Sequence, residues 1–184
     1  MGDIRNSLQI EDMALEILIP YARGVSINGQ IVTTGKGKNA KVIQSRLGDI
    51  LLNTKGGEFH TWGDLIGIEV KAEQKNSTGN LFLENWSNCK RGRENLGWMH
   101  KLECDYLWYY FLESDELYSI HFDSLWKWFW EDDNSRRYPQ KKQSKYDQLN
   151  VTKGICVKIS DIENFKWVSK RSPAKEMNIG KRVA

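Results

Sequence analysis

Residues 65–71 read Leu-Ile-Gly-Ile-Glu-Val-Lys, a short run that combines a strand pattern with chemically distinctive side chains. Alternate side chains of a strand share a face, so Ile66, Ile68 and Val70 point one way, and Gly67, Glu69 and Lys71 point the other. The apolar face is typical of a core-facing strand. The other face places a carboxylate beside an ammonium group, which indicates a reactive or ion-binding site.

A second strand is predicted at residues 49–53, Asp-Ile-Leu-Leu-Asn, after the turn residue Gly48. The 19 residues between Asp49 and Glu69 are sufficient for two strands joined by a turn, which places the two carboxylates side by side. Two such carboxylates can hold a hard divalent cation, usually Mg²⁺, which keeps some of its waters. Lys71, as a compact charge, can position a water or neutralise charge at phosphorus.

Around this pair the pattern predicts an α/β domain with a mixed central sheet. A helix is predicted from about residue 6 to Gly24, because apolar residues recur there at helical spacing. A second helix is predicted over residues 98–113, and Ser124 is expected to cap a short aromatic helix at 125–130. Asp161 is expected to begin a helical turn. Further strands are predicted at residues 41–45, 80–86, 117–122 and 151–159.

Asp49 and the triplet Glu69-Val70-Lys71 resemble the D…E-x-K signature of the PD-(D/E)XK nuclease superfamily. Gly48 stands where the family name has proline. The likeness extends over roughly residues 6–165. Within it, the run 78–84 resembles the strand that follows E-x-K in phage and bacterial members. The likeness implies a restriction-endonuclease-like core, a mixed sheet flanked by helices, over residues 1–165. A basic C-terminal tail over residues 166–184 would follow.

The resemblance implies a Mg²⁺-dependent deoxyribonuclease that hydrolyses phosphodiester bonds, with Mn²⁺ as a substitute. Asp49 and Glu69 would ligate the metal, the Val70 carbonyl would add a ligand, and Lys71 would orient the attacking water. Some members also place a glutamate of the first helix near the metal. Glu11 lies inside the apolar arc of the predicted helix and is the candidate for that position.

Several alternatives stay open beside this interpretation. Asp64 is a second candidate for the aspartate of the signature, ranked after Asp49 because it lies too near Glu69 for a separate strand. Glu84 could line the site or bond to a backbone group. Residues 34–38 lack the spacing of a Walker A loop. A non-catalytic DNA-binding or junction-recognition protein on the same scaffold is the second hypothesis, and a protein-interaction domain is the third. The tryptophans of the aromatic helix at 125–130 are expected to pack in the core or at a subunit contact in preference to stacking on DNA bases.

The net charge of +3 divides unevenly along the chain. Residues 1–133 hold 14 Lys/Arg and 20 Asp/Glu, a net charge of −6, whereas residues 134–184 hold 13 and 4, a net charge of +9. A basic third beside an acidic body indicates a polyanionic partner, here DNA, with salt-dependent binding. The basic residues predicted to contact nucleic acid are Lys36, Lys38, Arg91, Arg93, Lys141, Lys142 and Lys145.

The remaining composition indicates an intracellular protein. The three cysteines are widely spaced, which argues against a disulfide framework and for a reducing, cytoplasmic compartment. No run reaches the roughly 18 apolar residues that a membrane span needs. A homodimer is expected if both strands of a duplex are cut, but no motif identifies an interface.

Overall fold

The computed structural model describes residues 4–25, 30–33, 38–53, 65–89, 95–144 and 151–183. Within these ranges, two 3₁₀ turns, Asn134–Arg137 and Ile159–Asp161, accompany the helices and strands. In chain order these elements are α1 (Ile4–Val25), β1 (Gln30–Thr33), α2 (Lys38–Leu47), β2 (Ile50–Asn53), β3 (Leu65–Glu73), β4 (Asn80–Asn88), β5 (Asn95–Leu96), α3 (Trp98–Lys101), β6 (Tyr106–Phe111), β7 (Glu116–His121), α4 (Phe122–Trp130), β8 (Gln140–Ser144), β9 (Val151–Lys158), β10 (Val168–Arg171) and α5 (Pro173–Val183).

The strands form two sheets. The central sheet has the order β1-β2-β3-β6-β7-β10 and is antiparallel except for the parallel pair β3 and β6. The second sheet has the order β5-β4-β9-β8 and is antiparallel throughout. Helices lie against this framework, so the predicted α/β fold with a mixed central sheet and flanking helices is confirmed.

Two apolar clusters cover opposite faces of the central sheet. Helix α1 buries Ala14, Leu18 and Tyr21, at spacings of four and three residues, against Ile68 and Val70 of β3. The second sheet and α4 cover the other face. Within α4, Leu125 and Phe129 are buried and the three tryptophans are partly buried against the same cluster, as the core-packing interpretation of the aromatic helix predicts.

The helix predicted over residues 98–113 is wrong. Only Trp98–Lys101 is helical, and Tyr106–Phe111 is strand β6 between β3 and β7. Residues 107–111 are all buried, because the strand is covered on both faces. A strand of this kind has no polar alternation, so periodicity alone does not separate it from a buried helix. Its aromatic residues favour the extended conformation.

The strand predicted at residues 41–45 is also wrong, since these residues lie within α2. The pair Val42-Ile43 favours a strand locally. Ile43 and Leu47, four residues apart, are partly buried, while Val42 is 63% exposed. Burial at helical spacing therefore decides the conformation.

Smaller differences occur at two predicted helix starts. Helix α4 begins at Phe122 with His121 at the N-cap, and the Ser124 hydroxyl hydrogen-bonds with His121 Nδ1 at 3.0 Å instead of capping. Asp161 ends a 3₁₀ turn, and its carboxylate accepts a hydrogen bond from the Tyr138 hydroxyl at 2.7 Å. In each case the side chain forms a hydrogen bond with an earlier residue, His121 or Tyr138, instead of capping a helix at the predicted position.

The C-terminal segment continues the fold. Strand β10 pairs with β7 at the edge of the central sheet, and α5 contacts α1. Residues 168–183 of the predicted basic tail thus form a strand and a helix. Among the residues that the structure describes, no helix is long and apolar enough to cross a membrane.

Candidate active site

The hairpin of β2 and β3 brings Asp49 to Glu69. Ile50 lies opposite Ile68, so continuing the antiparallel register by one residue places Asp49 opposite Glu69. Gly48 has a φ of 96°, and a Cβ at this position would lie 2.5 Å from the carbonyl carbon of Ile68. Only glycine allows this approach. The close contact fixes Asp49 at the start of β2.

The Asp49 carboxylate is held by one hydrogen bond to each oxygen. The Val70 backbone N–H donates to Oδ2 at 2.9 Å, and Gln44 Nε2 donates to Oδ1 at 2.6 Å. Each oxygen keeps a further lone pair. The carboxylate is therefore oriented on both sides and retains capacity for a cation.

Lys71 lies between two glutamates. Its Nζ is 2.6 Å from Glu69 Oε1 and 3.9 Å from Glu11 Oε1. The Glu69 side chain is only 8% exposed and the Lys71 side chain 24%. The ring of Trp98 completes the surroundings, with its centroid 5.9 Å from Lys71 Nζ. Helix α1 thus brings Glu11 beside Lys71.

The electrostatics of the site show an excess of negative charge. Burial raises the pKa of Glu69 to about 7, and Asp49 and Glu11 add to the rise while Lys71 opposes it. Burial lowers the pKa of Lys71, but Glu69, Glu11 and Asp49 outweigh burial and raise it overall. Lys71 therefore stays protonated, and a further cation would relieve the cost of ionising Glu69.

These side chains line one cleft of about 420 Å³. Helix α2 contributes one face to it, since Lys41, Gln44 and Ser45 follow at helical spacing. Lys101 of α3 and Glu84 of β4 lie along the same cleft. The sequence left two interpretations of Glu84 open, and Lys41 and Lys101 were not predicted to line a site. No local pattern marks them, because α2 and α3 reach the cleft only through tertiary packing.

The residues fit a hydrated Mg²⁺ ion. Asp49 and Glu69 offer hard oxygen donors in a region of excess negative charge. In the described ranges no three His, Cys, Asp or Glu side chains form a metal cluster, and Mg²⁺ typically uses one or two carboxylates and keeps several waters. Cys104 lies close by, but burial first and the charge of Glu69 second raise its thiol pKa to about 12, so no thiolate competes.

The predicted nucleic-acid contacts separate into groups. Lys141 lies opposite Gly154, which lies opposite Glu84, so these positions share one face of the second sheet. Lys142 is adjacent to Lys141 and therefore points to the other face. Both lysines are exposed. Lys38 begins α2. The predicted contacts Lys36, Arg91, Arg93 and Lys145, and the second-ranked Asp64, lie outside the described residues.

Asp105, between α3 and β6, joins the strands that carry the site. Its Oδ2 accepts the Gly67 N–H at 2.7 Å, and its own N–H donates to the Gly67 carbonyl at 2.9 Å. A Cβ at Gly67 would collide with the Leu47 carbonyl oxygen. Gly67 therefore lets the end of α2 approach β3 and brings α2 to the cleft.

The chain was compared with known proteins. No protein-family model matches it, and no curated protein matches it significantly. Among solved structures, it is similar to a bacterial homing endonuclease, I-Ssp6803I, with 16% identity and a TM-score of 0.44. The alignment covers 68% of this chain and 74% of that chain. This similarity is too distant to assign a family or an activity.

Proposed function

We propose that the protein is a Mg²⁺-dependent endonuclease of the PD-(D/E)XK type that hydrolyses phosphodiester bonds in DNA. The observation that carries this proposal is the convergence of Asp49, Glu69 and Lys71 in one cleft. Asp49 is separated from Glu69 by 19 residues of sequence, and the close packing of Gly48 against β3 holds it beside the Glu69–Lys71 pair. Glu11 is the fourth member of the site through its contact with Lys71.

In this proposal Asp49 and Glu69 would hold the cation, and the Val70 carbonyl would supply a further ligand. A bound Mg²⁺ would polarise the scissile phosphate and stabilise the negative charge that develops at phosphorus. Lys71 stays charged because it lies beside the acids, and it orients the attacking water from a fixed position. Water attacks phosphorus in line and releases a proton to solvent as the new P–O bond forms. The O3′–P bond breaks and O3′ takes up a proton from solvent, which leaves a 5′-phosphate and a 3′-hydroxyl.

DNA is the proposed substrate because lysines surround the acidic centre. Lys41 and Lys101 line the cleft, and Lys141 lies across the second sheet from Glu84. Adjacent strands are about 4.8 Å apart, so the Cα of Lys141 is about 10 Å from that of Glu84. A lysine this close to the cleft can neutralise a phosphate of a DNA strand that is bound there. Cleavage of both strands of a duplex would require two sites, for which we propose a homodimer.

A second candidate, a non-catalytic DNA-binding protein on the same scaffold, is favoured by one observation. The Lys71 ammonium pairs with Glu69 at 2.6 Å and offsets the buried charge without a metal. Such a protein would bind DNA through the same lysines. It would show no cleavage with Mg²⁺ or Mn²⁺ and no thermal stabilisation by either ion.

Plasmid nicking with Mg²⁺ tests the proposal. We expect cleavage by the wild type, and a loss of at least about 100-fold in Lys71→Ala and Asp49→Asn, since each removes a preorganised charge. Lys75→Ala and Glu163→Gln remove equivalent exposed groups away from the cleft and should cleave like the wild type. Circular dichroism confirms that each variant is folded. Full activity in Lys71→Ala and Asp49→Asn would refute the assignment.

A further inference from the structure

A second cavity, of about 510 Å³, lies at the end of the four-stranded sheet away from the cleft. We call it the aromatic pocket. Residues from α4, from the segment before β8, from the end of β9 and from the segment before β10 come together there. Its lining residues are Trp128, Arg137, Tyr138, Pro139, Lys158, Asp161 and Phe165.

The aromatic pocket has walls of packed rings. Trp128 is central, with ring centroids 6.1 Å from Tyr138 and 6.2 Å from Phe165. Its ring centroid is also 6.3 Å from Trp167, which contacts these rings but does not line the cavity. Phe165 and Trp167 stack at 4.9 Å with an interplanar angle of 20°. The Tyr138 hydroxyl donates to Asp161 at 2.7 Å, which fixes that ring. The rings are therefore positioned before any ligand binds.

Core packing does not account for all of this aromatic surface. Phe165 is 38% exposed, and Trp128, Tyr138 and Trp167 are only partly buried against the neighbouring core. Four neighbouring aromatic rings that remain partly open to solvent are typical of a binding surface. Flat, rigid rings of this kind favour a flat ligand.

Two cations lie at the aromatic pocket. Arg137 and Lys158 are both exposed, and neither takes part in a salt bridge among the described residues. Asp161 already accepts a hydrogen bond from Tyr138. The pocket thus offers positive charge beside its rings and suits a flat ligand that also carries an anion.

We propose that the aromatic pocket binds an unpaired nucleobase of a DNA strand, with the adjoining phosphate held by Arg137 and Lys158. A base within a duplex has both faces covered by its neighbours, whereas an unpaired base can stack on exposed rings. A proline-rich peptide would use the rings but would leave the two cations without a partner. This inference rests on the proposed function for DNA as the partner.

The position of the aromatic pocket indicates a substrate class. Lys158 lies four residues along β9 from Gly154, which is opposite Glu84 of the cleft. At about 3.3 Å per residue this separation is about 13 Å, which at most about four nucleotides span, since about 3.4 Å is the rise of a fully stacked strand. The proposed substrate is therefore DNA in which a single-stranded segment adjoins the cleavage site, as at an overhang or a gap.

Fluorescence anisotropy in EDTA tests the aromatic pocket apart from cleavage. The probes are a blunt DNA duplex and the same duplex with an eight-nucleotide thymidine overhang. We expect the wild type to bind the overhang duplex about tenfold more tightly, in keeping with one stacked base. Phe165→Ala and Arg137→Ala should remove this preference. Phe165→Tyr keeps a ring and should retain it.

Arg136→Ala is the matched control. Arg136 lies beside Arg137 in the same 3₁₀ turn but pairs with Asp133 at 3.0 Å and does not line the aromatic pocket. It should bind both probes like the wild type. An unchanged preference in Phe165→Ala and Arg137→Ala, or equal wild-type affinity for the two probes, would overturn the proposal. The proposal would also be overturned if the wild type showed no overhang preference and instead bound a proline-rich peptide, with Phe165→Ala abolishing that binding.

The outcomes separate the aromatic pocket from the nuclease. Mg²⁺-dependent cleavage without an overhang preference would overturn the pocket proposal and leave the nuclease intact. An overhang preference that depends on Phe165, without any metal-stimulated cleavage, would support the pocket and overturn the nuclease. Failure to bind either DNA probe would overturn both.

Discussion

Asp115 lies in the turn between β6 and β7, with a positive φ of 52°, and caps the N-terminus of α5. Its two carboxylate oxygens accept the N–H groups of Ala174 and Lys175, each at 3.0 Å. The Tyr110 hydroxyl donates to the same carboxylate at 2.8 Å. Asp115 is 9% exposed and Tyr110 is 1% exposed, so water does not readily replace these bonds.

The cost of losing this carboxylate follows from its bonds. Removing a helix cap costs about 1 kcal/mol, and leaving the buried Tyr110 hydroxyl without an acceptor costs about 1 to 3 kcal/mol. Asp115→Gly should therefore destabilise the protein by about 3 kcal/mol. Asp115→Ala should cost roughly 1 kcal/mol more, because alanine resists a positive φ. Asp115→Asn tolerates the backbone and keeps one acceptor oxygen, so it should cost least.

Urea denaturation followed by tryptophan fluorescence measures these differences at pH 7. A double-mutant cycle with Tyr110→Phe isolates the buried bond, since that variant removes the donor that Asp115→Gly leaves unsatisfied. We expect a coupling of about 1 kcal/mol or more. Losses below about 0.5 kcal/mol in Asp115→Gly and Asp115→Ala, or strict additivity in the cycle, would refute the capping role.

Three further predictions concern the cleft and its surroundings. In EDTA, the difference in unfolding free energy between Glu69→Gln and the wild type should shift in favour of the variant by about 2 to 3 kcal/mol as pH rises from 5 to 8. The folded-state pKa of about 7 lies above the ordinary 4.5, so wild-type stability falls as pH rises through this range; urea titrations giving the same difference at both pH values would contradict this. Gly48→Ala should lower the free energy of unfolding by at least about 2 kcal/mol and abolish cleavage, because an alanine at this φ would collide with β3. A variant that is stable in thermal melts and active in nicking assays would be incompatible with the close contact between Gly48 and β3. Lys141→Ala should reduce the slope of log affinity for DNA against log salt concentration by about one, and Lys142→Ala should leave this slope unchanged. Fluorescence anisotropy over a salt series measures the slope, and an equal effect of both variants would exclude a face-specific contact.

The two-residue alternation of residues 65–71 predicted β3 correctly, together with its buried face. Ile68 and Val70 are buried, and Glu69 and Lys71 line the cleft, because one face of β3 packs on α1 and the other borders the cleft. The position of Asp49 followed from the same reasoning, since a glycine and a short strand leave few ways to pair with β3. These features depend on local pattern and could be predicted.

Other parts of the site depend on contacts between distant segments. Lys101 and Trp98 reach the cleft because Gly97 packs against the backbone of β4, where a Cβ would meet the Asn85 carbonyl carbon at 2.7 Å. Its N–H also donates to the Asn85 carbonyl at 2.6 Å. No pattern around residue 97 indicates this contact. Lys41 was missed for a related reason, because its segment was predicted as a strand.

Titration with Mn²⁺, followed by the electron paramagnetic resonance signal of the free ion, most directly tests whether Asp49 and Glu69 hold a divalent cation. At pH 7.5 we expect the wild type to bind one ion per chain, and Asp49→Asn and Glu69→Gln to bind none at the same concentrations. Glu163→Gln, an exposed acid away from the cleft, should bind like the wild type. Equal Mn²⁺ binding by Asp49→Asn and the wild type would contradict the proposed metal site.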